Sequence, residues 1–312
     1  MTLAYIFPGQ GSQSPGMGKN LVENFSQAAR IFEEIDDALH FSLSRLCFEG
    51  SAEDLQLTEN TQPAILSVSA AAMRTMESEG FPKADYVAGH SLGEYSALFA
   101  ARSLSLTDAV QTVRLRGRYM QEAVPVGAGA MAAVIGAELS DIENACSEAS
   151  QGQVCAPANI NSGNQVVIAG NAEAVERASE ILRNGQAKRV LALNVSAPFH
   201  SALMMPAQER LAVDLEGLRF DNPTVPLVTN VDAAIIRRGA EARDALVRQV
   251  SSPVRWLESI ELLIREGVDT FVEVGPGKVL TGLMRQISRD VKCFNVEDAA
   301  SFKSAAAGLG IS

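Results

Sequence analysis

The sequence predicts an α/β protein in which a small sheet domain interrupts a larger one built on a parallel sheet. Three observations lead there. Short apolar runs alternate with helical patterns over residues 1–125, that rhythm returns after residue 195, and between them the elements follow the order βαββαβ. Residues 1–125 and 196–312 are therefore read as one discontinuous core, and residues 126–195 as a ferredoxin-like insert.

The core opens with LAYIF at 3–7, an unbroken apolar run of strand length, followed by helical patterns at 18–39 and 63–79. YVAG at 86–89 is the next strand, and LGEYSALFAARSL behind it has helical spacing. In the insert, GAMAAVIG from Gly129, VCAPANIN, QVVIAG and RVLALNV are strands, with helices at 139–150 and 171–184. Ser162, Gly163 and Asn164 close a hairpin between the two middle strands. The core resumes with a helix at 201–217, VPLVT at 225–229, a helix at 254–266, TFVEV at 270–274 and a last helix after Gly277. The Gly/Ala-rich tail beyond Ala299 is expected to be loosely held. A ligand site is expected between the two domains.

With 312 residues, 47% hydrophobic and 20% charged, the chain can bury a large core in one or two domains. No apolar stretch is long enough to span a membrane, and MTLAYIFPGQ lacks the basic start and apolar region of a secretory signal, so a cytoplasmic protein is expected. Cys47, Cys146, Cys155 and Cys293 form no CxxC pair and are read as reduced core thiols. A net charge of -11 argues against nucleic acid as a partner, because phosphate binding needs a basic face. The histidines, His40, His90 and His200, form no HExxH helix and no cluster with cysteine, so no catalytic metal is expected.

GHSLG at 89–93 matches G-x-S-x-G, in which a sharp strand-to-helix turn lifts a serine hydroxyl above the sheet. The start of the following helix would favour an oxyanion beside Ser91. The alternative is a glycine turn with a capping serine. Of the possible bases, His90 would point away across the turn and His40 ends a charged helix, which leaves His200 in SAPFHSALMM. At a helix entry the dipole would keep its ring neutral, although a packed histidine fits there too.

IFPGQGSQ after the first strand fails G-x-G-x-x-G because Ser14 takes the third glycine position, and VGPGKVL is neither that fingerprint nor a Walker loop. No nicotinamide or nucleotide cofactor is indicated. The Gly9, Gln10, Gly11 segment can instead offer backbone N–H groups to an oxyanion, or be a plain connecting loop. On the helix DAVQTVRLRGRYMQEAV, the apolar face of Ala109, Val113, Gly117, Met120 and Ala123 contains Arg116, while Arg114 and Arg118 lie opposite. A buried Arg116 needs a partner, either an Asp or Glu of the protein or the carboxylate of a ligand held by two parallel hydrogen bonds.

Together these residues resemble the malonyl-CoA:acyl carrier protein transacylases of type II fatty-acid synthesis. The resemblance covers nearly the whole chain through IFPGQGSQ, TQPA (61–64), GHSLGE, RGRYMQEAVP (116–125), NINSGNQVVIAG (159–170), APFHS (197–201), RQVSSPVRW (248–256) and EVGPGKVLTGL (273–283), in the family's order. It implies an α/β-hydrolase-like core with an inserted ferredoxin-like domain. By position it implies Ser91 as the acylated nucleophile, His200 as its base and Arg116 as the clamp on the malonyl carboxylate. The backbone N–H groups of Gln10 and Leu92 would hold the oxyanion, and the main-chain carbonyl of Gln249 would orient His200. Gln62, Asn159 and Asn161 would line the pocket, with Phe199 as the bulky residue that favours an unbranched malonyl group.

The implied reaction is ping-pong transfer of malonyl from malonyl-CoA to the phosphopantetheine thiol of acyl carrier protein, with no permanently bound cofactor and a monomeric enzyme. Rival readings are a serine thioesterase or esterase, a non-catalytic carrier-binding module, and a malonyl loader for polyketide synthesis or malonate metabolism. Since both enzyme and carrier are expected to be acidic, docking is expected on local basic residues, Lys188, Arg189, Arg285, Arg289 and Lys292.

Overall fold

A computed structural model describes residues 1–185 and 187–311. The first part of the core runs through β1 (Leu3–Phe7), α1 (Lys19–Asn24), α2 (Ser26–Leu39), α3 (Leu43–Glu49), α4 (Ala52–Gln56) and α5 (Thr58–Ser78). It ends with β2 (Tyr86–Gly89), α6 (Gly93–Ala100) and α7 (Leu106–Glu122). Next come β3 (Gly129–Ile135), α8 (Leu139–Ser150), β4 (Cys155–Ser162), β5 (Gln165–Asn171), α9 (Ala172–Asn184) and β6 (Arg189–Ala192). After a 3₁₀ turn at Ala202–Met204 follow α10 (Met205–Glu216), β7 (Leu227–Val228), β8 (Ile235–Ile236), α11 (Gly239–Gln249) and α12 (Trp256–Arg265). The chain closes with β9 (Thr270–Val274), α13 (Val279–Ile287), β10 (Lys292–Val296) and α14 (Ala299–Leu309).

Two sheets result. The larger has the order β10-β9-β1-β2-β7-β8, parallel from β10 to β7 with β8 antiparallel at the edge. Its central strands β1 and β9 are buried at every position, which is why they read as unbroken apolar runs. The smaller sheet, β4-β5-β3-β6, is antiparallel and carries α8 and α9 over its own apolar core, as the βαββαβ order predicts. Its middle hairpin turns at Gly163 and Asn164, between the paired Ser162 and Gln165.

TFVEV hides an acid, and that acid places a helix. Glu273 is fully buried on β9, and its carboxylate accepts the N–H groups of Leu280 (3.0 Å) and Thr281 (2.7 Å) at the start of α13. The VGPGK segment is therefore a strand-to-helix connection whose orphan amides are capped from the neighbouring strand.

Several local expectations are corrected. The single helix at 18–39 is two, broken at Phe25, which is extended (φ -135°) and lays its ring 4.9 Å from that of Phe302. The helix expected at 63–79 begins earlier, at Thr58, with Pro63 inside it. Burial of Thr58, Thr61 and Gln62 outweighs the preference of proline for a first turn. The helix after Gly277 is not the last, and the tail is not loose. Asp298 caps α14 by accepting from Ser301 N–H (2.7 Å), and Phe302 packs between Phe25 and Phe81. The polar Lys292 and Asn295 in KCFNV concealed strand β10, and the charged pattern at 239–249 concealed α11. Cys47, Cys146 and Cys155 are buried free thiols, and Cys293 is free and half-buried.

Because Phe302 joins the C-terminal helix to two other segments, Phe302→Ala should lower unfolding stability by about 3–5 kcal/mol in urea titration. A loosely held tail would show a change below about 0.5 kcal/mol.

Candidate active site

The site begins where β1 and β2 end side by side, with Phe7 in register with Gly89. The chain then reverses: His90 N–H donates to Phe7 O (2.9 Å), Ser91 sits in the left-handed region at φ 53°, and α6 starts at Gly93. That conformation costs a non-glycine residue about 1–2 kcal/mol and is held here by crowding. A Cβ on Gly89 would run into the Gly93 carbonyl, and one on Gly93 into the Phe7 carbonyl. The flanking glycines let strand and helix close to backbone distance, and the serine side chain is lifted out of the turn.

Asn230, after β7, pins this elbow. Its Oδ1 accepts from Ser91 N–H (2.6 Å) and its Nδ2 donates to Gly89 O (2.6 Å). Its own N–H donates to the buried carboxylate of Glu94 (2.9 Å). The sequence reading named neither Asn230 nor Glu94 as a site residue. An acid in the first turn of an apolar helix was the available signal for Glu94, whereas Asn230 is one of many asparagines in loops.

Ser91 Oγ lies 2.7 Å from His200 Nε2, and His200 Nδ1 lies 2.9 Å from Gln249 O. A carbonyl only accepts, so Nδ1 carries the proton and Nε2 is free to accept from the serine hydroxyl. Gln249 is the last residue of α11, where main-chain carbonyls have no partner within the helix. The orienting acceptor, an acid in many such triads, is here a helix-end carbonyl. His200 is kept neutral mainly by burial and then by the Arg116 charge, which push it down to about 3. This corrects the expected cause: α10 begins five residues later, at Met205, so its dipole is not the reason.

Arg116 is 2% exposed and has no carboxylate partner among the described residues. It donates to Gln62 Oε1 (2.6 Å), Gln249 Oε1 (3.0 Å) and Ser91 Oγ (3.1 Å). Of the two partners expected for it, the internal salt bridge is not what the structure shows. Gln62 is itself oriented, its Nε2 donating to Thr58 Oγ1 (3.2 Å), which donates to Gln10 Oε1 (3.0 Å). A desolvated guanidinium held only by neutral oxygens is suited to an anion entering from the cavity.

That cavity, of about 380 Å³, is lined by Gln10, Gln62, Ser91, Leu92, Arg116, Asn159, Asn161, Phe199 and His200, and Gln249 stands behind it. Both parts of the fold contribute: Asn159 and Asn161 lie on β4 of the smaller sheet, and Leu280 and Leu283 on α13 of the core also line the cavity. Among the described residues the N–H groups of Gln10 and Leu92 donate to no protein acceptor, so both remain available beside Ser91. His90 turns away from Ser91 towards Asn161 (Nε2 to Oδ1, 2.9 Å), its ring 5.5 Å from that of Trp256. His40 is exposed at the end of α2. Among the described residues no group of three or more His, Cys, Asp or Glu could hold a metal, and no helix is long and apolar enough to cross a membrane.

This arrangement can form and discharge an acyl-serine on a substrate bearing a carboxylate. Comparisons with known proteins point the same way. Residues 4–306 match the acyl transferase domain family. The chain is 47% identical over 304 residues to the malonyl CoA-acyl carrier protein transacylase of Bacillus subtilis, covering 97% of this chain and 96% of that one. With the Escherichia coli K12 protein of the same name it shares 49% over 284 residues, covering 91% and 92%. Among solved structures it resembles the acyl-carrier-protein-S-malonyltransferase of Bartonella henselae (TM-score 0.97, 48% identity, all of both chains). A malonyl-transacylase in complex with its holo type II PKS acyl-carrier protein is equally close in fold (TM-score 0.97, 45% identity, 99% and 100% covered).

The neutrality of His200 can be tested directly. At pH 5, ¹⁵N NMR of the histidine rings should find His200 uncharged, with its proton on Nδ1, whereas a midpoint near 6.5 would contradict the geometry.

Proposed function

The chain belongs to the acyl transferase domain family, and from that premise we propose that it transfers the malonyl group of malonyl-CoA to the phosphopantetheine thiol of acyl carrier protein. The observation that carries the reading is Arg116: buried, without a carboxylate partner among the described residues, and 3.1 Å from the hydroxyl that would be acylated. An esterase for neutral substrates has no use for a buried guanidinium without a direct carboxylate partner there.

In the proposed sequence the malonyl carboxylate sits on Arg116, which brings the thioester carbon to Ser91 Oγ. Oγ attacks as its proton passes to His200 Nε2, and the carbonyl oxygen gains charge facing the N–H groups of Gln10 and Leu92. The C–S bond breaks, CoA leaves with the proton from His200, and malonyl-Ser91 remains. The carrier thiol then gives its proton to His200 and attacks the ester carbon. Ser91 Oγ departs and is reprotonated. Gln62 and Gln249 hold Arg116, Asn159 and Asn161 form the wall contributed by the insert, and Phe199 narrows the space beside the acyl group for an unbranched chain.

We further infer a core of residues 1–125 and 196–312 with an insert at 126–195, acting as a cytoplasmic monomer that supplies fatty-acid elongation. The strands of the smaller sheet, which lie between Gly129 and Ala192, support the division. Loading of a polyketide carrier is the second reading, supported by the solved complex of a similar malonyl-transacylase with such a carrier. The carrier would dock on exposed Lys188, Arg189, Arg285, Arg289 and Lys292. The Ser162 hydroxyl donates to Gln286 Oε1 (3.0 Å), tying the insert to α13 where two of these residues stand near its end.

Intact-protein mass spectrometry tests the reaction: malonyl-CoA should add one malonyl group to the enzyme and none to Ser91→Ala, and holo carrier protein should remove it. Free malonate without an adduct would favour a hydrolase. For docking, the Lys188→Glu, Arg189→Glu pair should raise the KM for carrier protein at least fivefold while malonyl-enzyme forms at the normal rate. An unchanged carrier KM would remove these two residues from the docking surface.

A further inference from the structure

Glu94 takes no part in that reaction scheme, yet it is a carboxylic acid sealed beneath the elbow and 0% exposed. Its Oε2 accepts from Asn230 N–H and from Gln249 Nε2, each at 2.9 Å, while Oε1 has no partner among the described residues. The same Gln249 amide accepts from Arg116 through Oε1 (3.0 Å). A buried acid and a buried arginine thus flank one glutamine carboxamide, and only the arginine faces the cavity.

Opposite charges one side chain apart in a poorly solvated site interact strongly, and a second carboxylate arriving at the guanidinium must compete with the first. We propose that Glu94 is a positioning residue that limits how tightly Arg116 holds the carboxylate of the acyl group. Its charge balances the guanidinium from behind, so that a malonyl group is oriented without being trapped. This rests on the malonyl-transfer reading above.

Electrostatics give the sign. Burial raises the Glu94 carboxyl to about 7, against the lowering effects of its two hydrogen bonds and of Arg116. The groups facing it are Arg116 from α7, Tyr95 from its own helix, and Asp232 after β7, which is paired with Arg248. Below pH 7 the acid is neutral and Arg116 is left unbalanced, so an acyl carboxylate binds tightly. Above it the acid is charged and the hold weakens. His200, held at about 3, does not titrate in this range.

The test uses the half ester monomethyl malonate, which carries a single ionised carboxylate, as a competitive inhibitor of malonyl transfer, with CoA as the control. Glu94→Gln keeps an acceptor for both N–H groups and removes the charge. Its inhibition constant for the half ester should fall on the order of tenfold at pH 8 and become flat between pH 6 and 8, with the CoA constant within about twofold of wild type. An unchanged or raised half-ester constant, or parallel shifts for half ester and CoA, would overturn the proposal. The wild-type enzyme gives a second measurement should the variant not fold: its half-ester constant should rise with pH through about 7 relative to that of CoA, and a flat ratio would sink the idea. Absence of any malonyl-enzyme in wild type would instead refute the functional reading, whereas normal malonyl-enzyme with a flat ratio refutes only the role of Glu94.

Discussion

The constraint on which the site depends is the turn at Ser91, where a residue with a side chain is held in a left-handed conformation between a strand and a helix that meet at backbone distance. Two parallel strands supply the anchor, because β1 and β2 end together and His90 bonds to the end of β1. Two side chains from distant segments then hold what the strands present: Asn230 fixes the backbone of Ser91, and Gln249 donates to Ser91 O (3.1 Å). Ser91 is held through its backbone, and its hydroxyl is left facing His200 and Arg116.

Electrostatics of the site follow from burial. A histidine beside a cation in a dry pocket stays neutral, which is the state a general base needs. An arginine whose direct partners are amide and hydroxyl oxygens keeps its charge for a ligand. On the role proposed for Glu94, its charge, one amide behind Arg116, offsets part of the guanidinium charge once the acid ionises. Balance at a distance satisfies the cost of burying Arg116 and leaves its outer face open. A direct ion pair would have met that cost and closed the socket.

Periodicity revealed elements whose burial is uniform. TFVEV and LAYIF are strands buried on both faces, and the insert follows its βαββαβ order element by element. It failed where tertiary contacts overrode local preference. Phe25 breaks a helix to reach Phe302, Pro63 is carried inside a helix by the burial of Gln62 and Thr61, and KCFNV is a strand because β9 stands beside it. The tail beyond Ala299, small-residue and weakly patterned, becomes a helix because Asp298 caps it and Phe302 finds an aromatic slot.

By itself the sequence singled out the candidates: a serine in a glycine-flanked turn, a histidine two residues after a proline, and an arginine on an apolar helix face, all set by local spacing that a linear pattern records. Only the tertiary structure decided what each of them faces. Among the described residues Arg116 meets two amides and a hydroxyl and no acid, His200 finds a main-chain acceptor at the end of α11, and burial and the Arg116 charge, not a helix dipole, keep it neutral. Those facts depend on segments as far apart in the chain as Gln62, Asn230 and Gln249, and hydrogen bonds between such segments leave no period and no motif in the order of residues.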